Sequence, residues 1–244
     1  MASTRRLTAI LAADVAGYSR LMGADEEGTH ERLRAHLREL IDPKVRQHRG
    51  RIVKNTGDGV LAEFASVVDA VRCAVEVQRG MIDRNVDQPG EWRIEFRVGI
   101  NLSDIIVDEH DIFGDGVNVA VRLEALAEPG GICISRTVRD QIRDKLAYQF
   151  EDLGEQSVKN IARPVRVYTL HRETIAAFPA ATVTSATTIF QTAPRLSIVV
   201  FAFYQSQQRL RATIFRRWNH RRFDDRSVAD PAYVCDLAQY RVRL

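Results

Sequence analysis

The sequence predicts an α+β fold, in which helices pack against one face of a sheet. Helical and strand-forming segments alternate along the chain, and glycine turns join several strands as hairpins. The chain has 244 residues, of which 45% are hydrophobic and 27% charged, so it can form one medium domain with an appendage, and disorder throughout is excluded. Because no apolar run approaches the roughly 20 residues of a membrane helix, we predict no membrane span.

The first half of the chain contains the clearest elements. Apolar and small residues predict a buried strand over 7–13, and leucines at helical spacing predict a helix over 26–48. Two short strands over 51–55 and 60–64 flank the turn Thr56-Gly-Asp-Gly59, which predicts a hairpin. A second helix follows over 66–82, with Ser66 as its N-cap.

The second half continues the alternation of helices and strands. Alternating apolar residues predict a strand over 92–101, with a partner strand over 103–108. A glycine-bearing loop then opens a helix within 111–124. The remaining predicted elements are a strand over 132–135, a helix over 136–146, and final strands over 148–153 and 165–171.

Composition changes sharply after residue 172. Residues 173–196 are rich in Ala, Thr, Ser and Pro and almost uncharged, which predicts a linker. Within 197–244, the stretch 209–244 holds nine arginines, no lysine and four aspartates, a net charge of +5 that leaves −2 for residues 1–208. The basic balance of the chain therefore belongs to a terminal tail rather than to the predicted domain.

The cysteines and the N-terminal residues indicate a cytoplasmic protein. Cys73, Cys133 and Cys235 are odd in number and far apart, so neither a disulfide framework nor a zinc site is predicted. Arg5 and Arg6 precede an apolar stretch, but Asp14 interrupts it at the lower length limit of a signal-peptide core.

Two aspartates stand where carboxylates often have a chemical role. Asp14 ends the first strand just before Gly17, and Asp58 lies at the tip of the predicted hairpin. Either residue alone is more often a turn residue that bonds its own backbone. A strand that leads into a helix N-terminus beside a hairpin tip would, however, provide carboxylates for Mg²⁺ and amides for phosphate.

Four segments of the chain, taken in order, resemble the class III adenylate cyclase catalytic domain in its bacterial homodimeric form. They cover roughly residues 5–171 and are Ala13-Asp-Val-Ala-Gly-Tyr-Ser19, Lys54-Asn-Thr-Gly-Asp-Gly59, Asp111-Ile-Phe-Gly-Asp-Gly-Val-Asn-Val-Ala-Val-Arg122 and Val158-Lys-Asn-Ile-Ala-Arg-Pro-Val-Arg-Val-Tyr168. The resemblance implies a ferredoxin-like βαββαβ cyclase domain with extra C-terminal strands and a helix over residues 1–172.

The resemblance also implies the ligands of the metal ions. Asp14 and Asp58 match the two metal-binding aspartates of the family, and the backbone carbonyl of Val15 matches a further ligand. Two Mg²⁺ or Mn²⁺ ions per site are expected. The phosphate contacts implied by the resemblance come from Gly17, Tyr18, Ser19 and Lys159.

Four further positions match residues that recognise the base and act on the reacting phosphate. Lys54 and Asp111 match the base-reading pair; a carboxylate acceptor with an ammonium donor complements adenine rather than guanine, so ATP is the expected substrate. Guanylate cyclases of the family typically have Glu and Cys at these two positions. Asn118 and Arg122 match the catalytic residues that orient the ribose and stabilise charge on the α-phosphate.

In the family, each active site takes its metal-binding and its base-reading residues from different subunits, so the resemblance implies a homodimer. The expected activity is conversion of ATP to 3′,5′-cyclic AMP and pyrophosphate in intracellular signalling. The alternative is a catalytically weak, cyclase-like regulatory dimerisation module.

Two positions and the tail depart from the family pattern. Ser103 and Val121 replace the usual Gly and Ala, and a turn with positive φ at Ser103 would be strained. Residues 197–203 resemble the start of a longer downstream region, but the rest of the tail does not, and we interpret 197–244 as a truncated or frame-shifted, poorly ordered remnant. A binding arm for nucleic acid or an acidic surface is the less favoured alternative, and no specific nucleic-acid partner is predicted.

Overall fold

The computed structural model describes residues 4–108, 111–158, 161 and 163–178. The strands are β1 (Thr4–Val15), β2 (Gly50–Asn55), β3 (Gly59–Phe64), β4 (Phe96–Asp108), β5 (Asp111–Phe113), β6 (Ile132–Ser135), β7 (Glu151–Gln156) and β8 (Val165–Leu170). The helices are α1 (Tyr18–Ala24), α2 (Glu26–His36), α3 (Asp42–Gln47), α4 (Val67–Arg84), α5 (Asp115–Leu126), α6 (Arg136–Ile142) and α7 (Arg172–Ala177). A π-helical turn, Leu37–Ile41, joins α2 to α3.

All eight strands belong to one sheet, with the order β2-β3-β1-β4-β6-β8-β7 and with β5 paired to β4. The elements from β1 to β4 form a βαββαβ unit whose strands lie in the order β4-β1-β3-β2, which is the ferredoxin-like arrangement. The predicted α+β class and its extra C-terminal strands and helix are therefore confirmed. The hairpin of β2 and β3 and the N-cap of α4 by Ser66 also form as predicted.

Helices cover both faces of the sheet, so the prediction that they lie on one face is wrong. On β1, Ala9 and Leu11 belong to the large core beneath α4, whereas Ile10 and Ala12 pack in a second core with Ala120 of α5. Helix α5 lies there because β4 and β6 are parallel, and a parallel pair requires a crossover connection. The central strand is consequently buried on both sides.

The predicted break between strands near residue 102 does not exist. Strand β4 runs through Ser103 and pairs with β1 from Phe96 to Val107, with Ser103 opposite Thr8. The long ladder to β1 stabilises extended backbone across this point, so no turn forms. Among the described residues, the only non-glycine with positive φ is Arg49, and Ser103 is therefore not strained.

Two helical segments also differ from prediction. The predicted helix over 26–48 is interrupted at the π-helical turn, which buries both Leu40 and Ile41 just before Pro43 enters the first turn of α3. Helix α7 occupies the start of the segment whose composition indicated a linker, and its Ile175 is fully buried. The remainder of that segment and the basic tail lie outside the described residues.

Candidate active site

Asp14 and Asp58 lie next to each other at one end of the central strands. Asp14 is paired across β1 and β3 with Gly59, and the amide of Val15 donates a 3.2 Å hydrogen bond to the carbonyl of Asp58. The hairpin turn closes through a 2.9 Å bond from the Thr56 amide to the Gly59 carbonyl, with Gly57 at φ 95°. Antiparallel pairing thus holds the tip of the hairpin against the end of β1.

Asp14 is in an environment that disfavours its charge. Burial raises the pKa of its carboxyl, and the neighbouring charge of Asp58 raises it further, whereas Arg97 lowers it. Two oxygen ligands that repel each other in this way form a donor set suited to a hard divalent cation. The two carboxylates are therefore a donor set that fits a divalent cation.

Lys54 and Asp111 form a second pair. The Lys54 ammonium donates a 2.8 Å hydrogen bond to Asp111 Oδ2, and the Ile112 amide donates to Oδ1 at 2.8 Å. A register shift between Ile52 and Lys54 marks a bulge in β2, which changes the direction of the following side chain. The hydrogen bond from Lys54 is the main cause that lowers the pKa of Asp111, and it favours the ionised form of this carboxylate.

Asn118 and Arg122 lie one turn apart on α5, with Asn118 exposed and Arg122 half-buried. The helix approaches the sheet closely, since a side chain at Gly99 of β4 would overlap the Ala120 carbonyl and the Glu124 amide. Within the described parts of the chain, no hydrogen bond or ion pair joins Asn118 or Arg122 to the two neighbouring aspartates or to the Lys54–Asp111 pair.

Gly17 adopts the left-handed conformation at φ 67° and begins α1, accepting hydrogen bonds from Arg20 and Leu21. Tyr18 and Ser19 form the first turn, where backbone amides have no partner inside the helix. This places the three predicted phosphate contacts directly after the end of β1 that carries Asp14. Lys159 lies outside the described residues.

Sequence reasoning missed two charged residues beside Asp14. Arg97 on β4 is opposite Asp14 in the β1–β4 ladder and reaches its Oδ2 at 3.3 Å. The same guanidinium lies 3.1 Å from Glu124 on α5. Burial raises the pKa of Glu124 to about 7; the charge of Arg97 opposes this rise, and the charges of Asp14 and Asp58 add to it. The sequence shows Glu124 two residues after Arg122, but it does not show that the Glu124 side chain is buried beside Arg97.

A separate group of possible metal ligands lies after α5. Ligand atoms of Glu128, His171 and Glu173 lie within 4.8 Å of one another. His171 is already bonded to Glu128 at 2.9 Å and to Glu151 at 3.1 Å, so its two ring nitrogens have carboxylate partners. None of the predicted metal-binding residues belongs to this group.

The fold and these paired charges define a nucleotide cyclase domain, and the chain belongs to the adenylate and guanylate cyclase catalytic domain family, whose model matches residues 2–172. A Rhizobium meliloti (strain 1021) protein named "Putative adenylate cyclase 3" is 52% identical over 165 residues, which are 68% of this chain and 28% of that protein. The chain thus spans less than half the length of the curated relatives it matches.

Solved structures resemble the same part of the chain. The adenylate/guanylate cyclase/hydrolase from Silicibacter pomeroyi is 52% identical, with a TM-score of 0.66 over 69% of this chain and 98% of that one. The adenylyl cyclase CyaB from P. aeruginosa is 25% identical, with a TM-score of 0.61 over 70% and 96% of the two chains.

Among the described residues, no helix combines the length and the hydropathy that crossing a membrane requires.

Proposed function

We propose that this chain is an adenylate cyclase that converts ATP into 3′,5′-cyclic AMP and pyrophosphate at sites shared between two identical subunits. The convergence of Asp14 and Asp58 is the observation that carries the proposal, because adjacent carboxylates at a strand end form a site for divalent cations. We assign the catalytic domain to residues 1–172. A cytoplasmic location stays a prediction from the sequence.

In the proposed site, Asp14, Asp58 and the Val15 carbonyl would hold two Mg²⁺ or Mn²⁺ ions. The bound ions would supply positive charge that acidifies the ribose 3′-hydroxyl and neutralises the triphosphate. The amides of Gly17, Tyr18 and Ser19 and the ammonium of Lys159 contact the phosphates. The protein's part in the reaction is chiefly to position the hydroxyl in line with the α-phosphorus and to neutralise charge.

Adenine recognition is assigned to the pair formed by Lys54 and Asp111. In the proposed complex, the Asp111 carboxylate accepts from the exocyclic amino group of adenine, and the Lys54 ammonium donates to a ring nitrogen. Guanine presents a carbonyl and a protonated ring nitrogen at the corresponding atoms, so it meets the wrong partner at both positions. The hydrogen bond from Lys54 lowers the pKa of Asp111 and so favours its acceptor form, which supports a preference for ATP.

Catalysis at the α-phosphate is assigned to Asn118 and Arg122 of a second subunit. Asn118 orients the ribose, and the permanent charge of Arg122 stabilises negative charge that develops on the phosphate oxygens. The exposure of Asn118 favours a partner in another chain. Since one chain carries each group once, a two-fold dimer would contain two equivalent sites.

Cyclic nucleotide formation by the full chain tests the proposal. Purified protein is incubated with Mn²⁺ and either ATP or GTP, beside Asp58→Ala and the control Asp87→Ala, an exposed aspartate after α4. We expect cyclic AMP from the wild type and from Asp87→Ala, less cyclic GMP, and no product from Asp58→Ala. No product from a wild type shown to be dimeric would instead support the regulatory dimerisation module.

A further inference from the structure

Arg97 lies between two carboxylates that belong to different parts of the fold. Its Nη2 atom is 3.3 Å from Asp14 at the end of β1, and its Nε atom is 3.1 Å from Glu124 on α5. The Nε–Glu124 contact is an ion pair without hydrogen-bond alignment, and neither atom has another hydrogen-bond partner among the described residues. The position of one guanidinium therefore depends on both carboxylates.

Glu124 is buried where α5 packs closely on β4. Its side chain is only 8% exposed, and its backbone amide lies against Gly99, where no side chain would fit. Asn118 and Arg122, by contrast, lie on parts of α5 that are not fully buried. A buried carboxylate is stable only with a charged or hydrogen-bonding partner, and Arg97 is the cation beside it.

The electrostatic consequence concerns Asp14. An arginine paired with a metal-binding carboxylate competes with the cation for the same oxygens and adds positive charge at short range. Glu124 offsets that charge and attracts the guanidinium towards α5. Without it, Arg97 would pair with Asp14 alone.

We propose that Glu124 is a positioning residue for the metal site: by holding Arg97 towards α5, it keeps the Asp14 carboxylate available to a divalent cation. This inference rests on the proposed function, because Asp14 must be a metal ligand. The inference adds to the proposed function a link between two parts of the fold. Arg97 connects α5, which carries Asn118 and Arg122, to the end of β1 that carries Asp14.

Direct Mn²⁺ binding to the full chain, followed by the loss of the free-ion electron paramagnetic resonance signal, tests the inference without a turnover assay. At about pH 8, above the raised pKa of about 7 for Glu124, Glu124→Gln should weaken Mn²⁺ binding by about tenfold. Arg97→Gln should bind Mn²⁺ at least as tightly as the wild type. The double variant should return to within about threefold of the wild type, because both charges are then absent.

Glu63→Gln is the matched control. The Glu63 side chain is also 8% exposed and is paired with two arginines, Arg6 and Arg51, but it lies far along β3 from Asp58. Glu63→Gln should leave Mn²⁺ affinity unchanged. The control therefore shows whether any lost buried ion pair weakens Mn²⁺ binding or only the loss of the Glu124–Arg97 pair does. Thermal unfolding verifies that each variant is folded.

The outcomes separate the inference from the function on which it rests. If the wild type binds Mn²⁺ but Glu124→Gln binds it equally well, or the double variant is as weak as Glu124→Gln, the inference is wrong and the metal site stands. If the wild type binds no Mn²⁺ and makes no cyclic AMP, both are wrong. Should Glu124→Gln not fold, the double variant decides: Mn²⁺ binding about tenfold weaker than that of Arg97→Gln would overturn the inference.

Discussion

The ammonium of Lys54 and the carboxylate of Asp111 lie 2.8 Å apart, although the two residues are 57 positions apart in the chain. The ring of Phe113 lies 6.0 Å from the same ammonium. The pair presents one donor and one acceptor side by side, which complements adenine. Substrate preference should therefore depend on these two side chains.

Reversing the hydrogen-bonding character of the pair should change the preferred nucleotide. In the double variant Lys54→Glu and Asp111→Cys, the ratio of cyclic GMP to cyclic AMP should rise by at least about tenfold, because guanine then meets complementary partners. The ratio is measured from parallel assays with ATP and GTP. Lys145→Glu, a charge reversal at an exposed lysine, should not change it. An unaltered ratio in the double variant would remove these residues from base recognition.

Removal of Arg122 should affect the chemical step more than substrate binding. Arg122→Ala should lower kcat by about 10²–10³-fold with little change in KM, since the charge it neutralises develops mainly in the transition state. Steady-state kinetics with ATP measures both constants. Arg143→Ala removes an exposed arginine next to Asp144 and should behave as the wild type. A variant whose KM alone changes would indicate ordinary substrate binding by Arg122.

The close approach of α5 to β4 should make Gly99 intolerant of substitution. Gly99→Ala places a methyl group against the backbone of Ala120 and Glu124, so it should destabilise the protein by about 1–3 kcal/mol and reduce cyclase activity. Urea unfolding and the cyclase assay measure the two effects. The control is Gly23→Ala on α1, where a methyl group would meet no atom within 4 Å. Equal stability of both variants would contradict the described packing of α5.

His171 should make stability depend on pH. Burial opposes its charge, but hydrogen bonds to Glu128 and Glu151 outweigh this and raise its pKa. The stabilisation from a raised histidine pKa is complete below the unfolded value of about 6.5 and is lost as pH rises through the folded value. The difference in unfolding free energy between the wild type and Glu128→Gln should therefore be larger at about pH 5.5 than at about pH 8.5. Urea titrations at both pH values test this, and a difference that grows with pH would be contrary to it.

Local sequence patterns predicted the strand and the hairpin that bring Asp14 and Asp58 together. The end of β1 at Asp14 and the glycine turn around Asp58 follow from short-range rules, and antiparallel pairing then brings the two residues together. The resemblance to cyclases supplied Lys54 and Asp111, which no local rule connects. Their contact depends on the bulge in β2 and on the position of β5, neither of which is visible as a pattern.

The features that the sequence did not reveal, an unbroken β4 and the contacts of Arg97, depend on residues far apart in the chain. The break expected near Ser103 is a reasonable turn signal, but the ladder between β1 and β4 extends through it. Arg97 and Glu124 were not predicted because a lone arginine in a strand and a lone glutamate in a helix are typical of solvated surfaces. Only the register of β4 and the packing of α5 place them beside Asp14.

Complementation between two inactive variants tests the central claim most directly. Asp58→Ala lacks a proposed metal ligand, and Arg122→Ala lacks a proposed transition-state residue, so each homodimer should be inactive. Co-expression or mixing with subunit exchange should form heterodimers in which one site is intact, and cyclic AMP formation should recover to about a quarter of the wild-type rate. If the mixture shows heterodimers but no more activity than the two variants separately, while the wild type is active, the proposed sharing of sites between subunits is wrong.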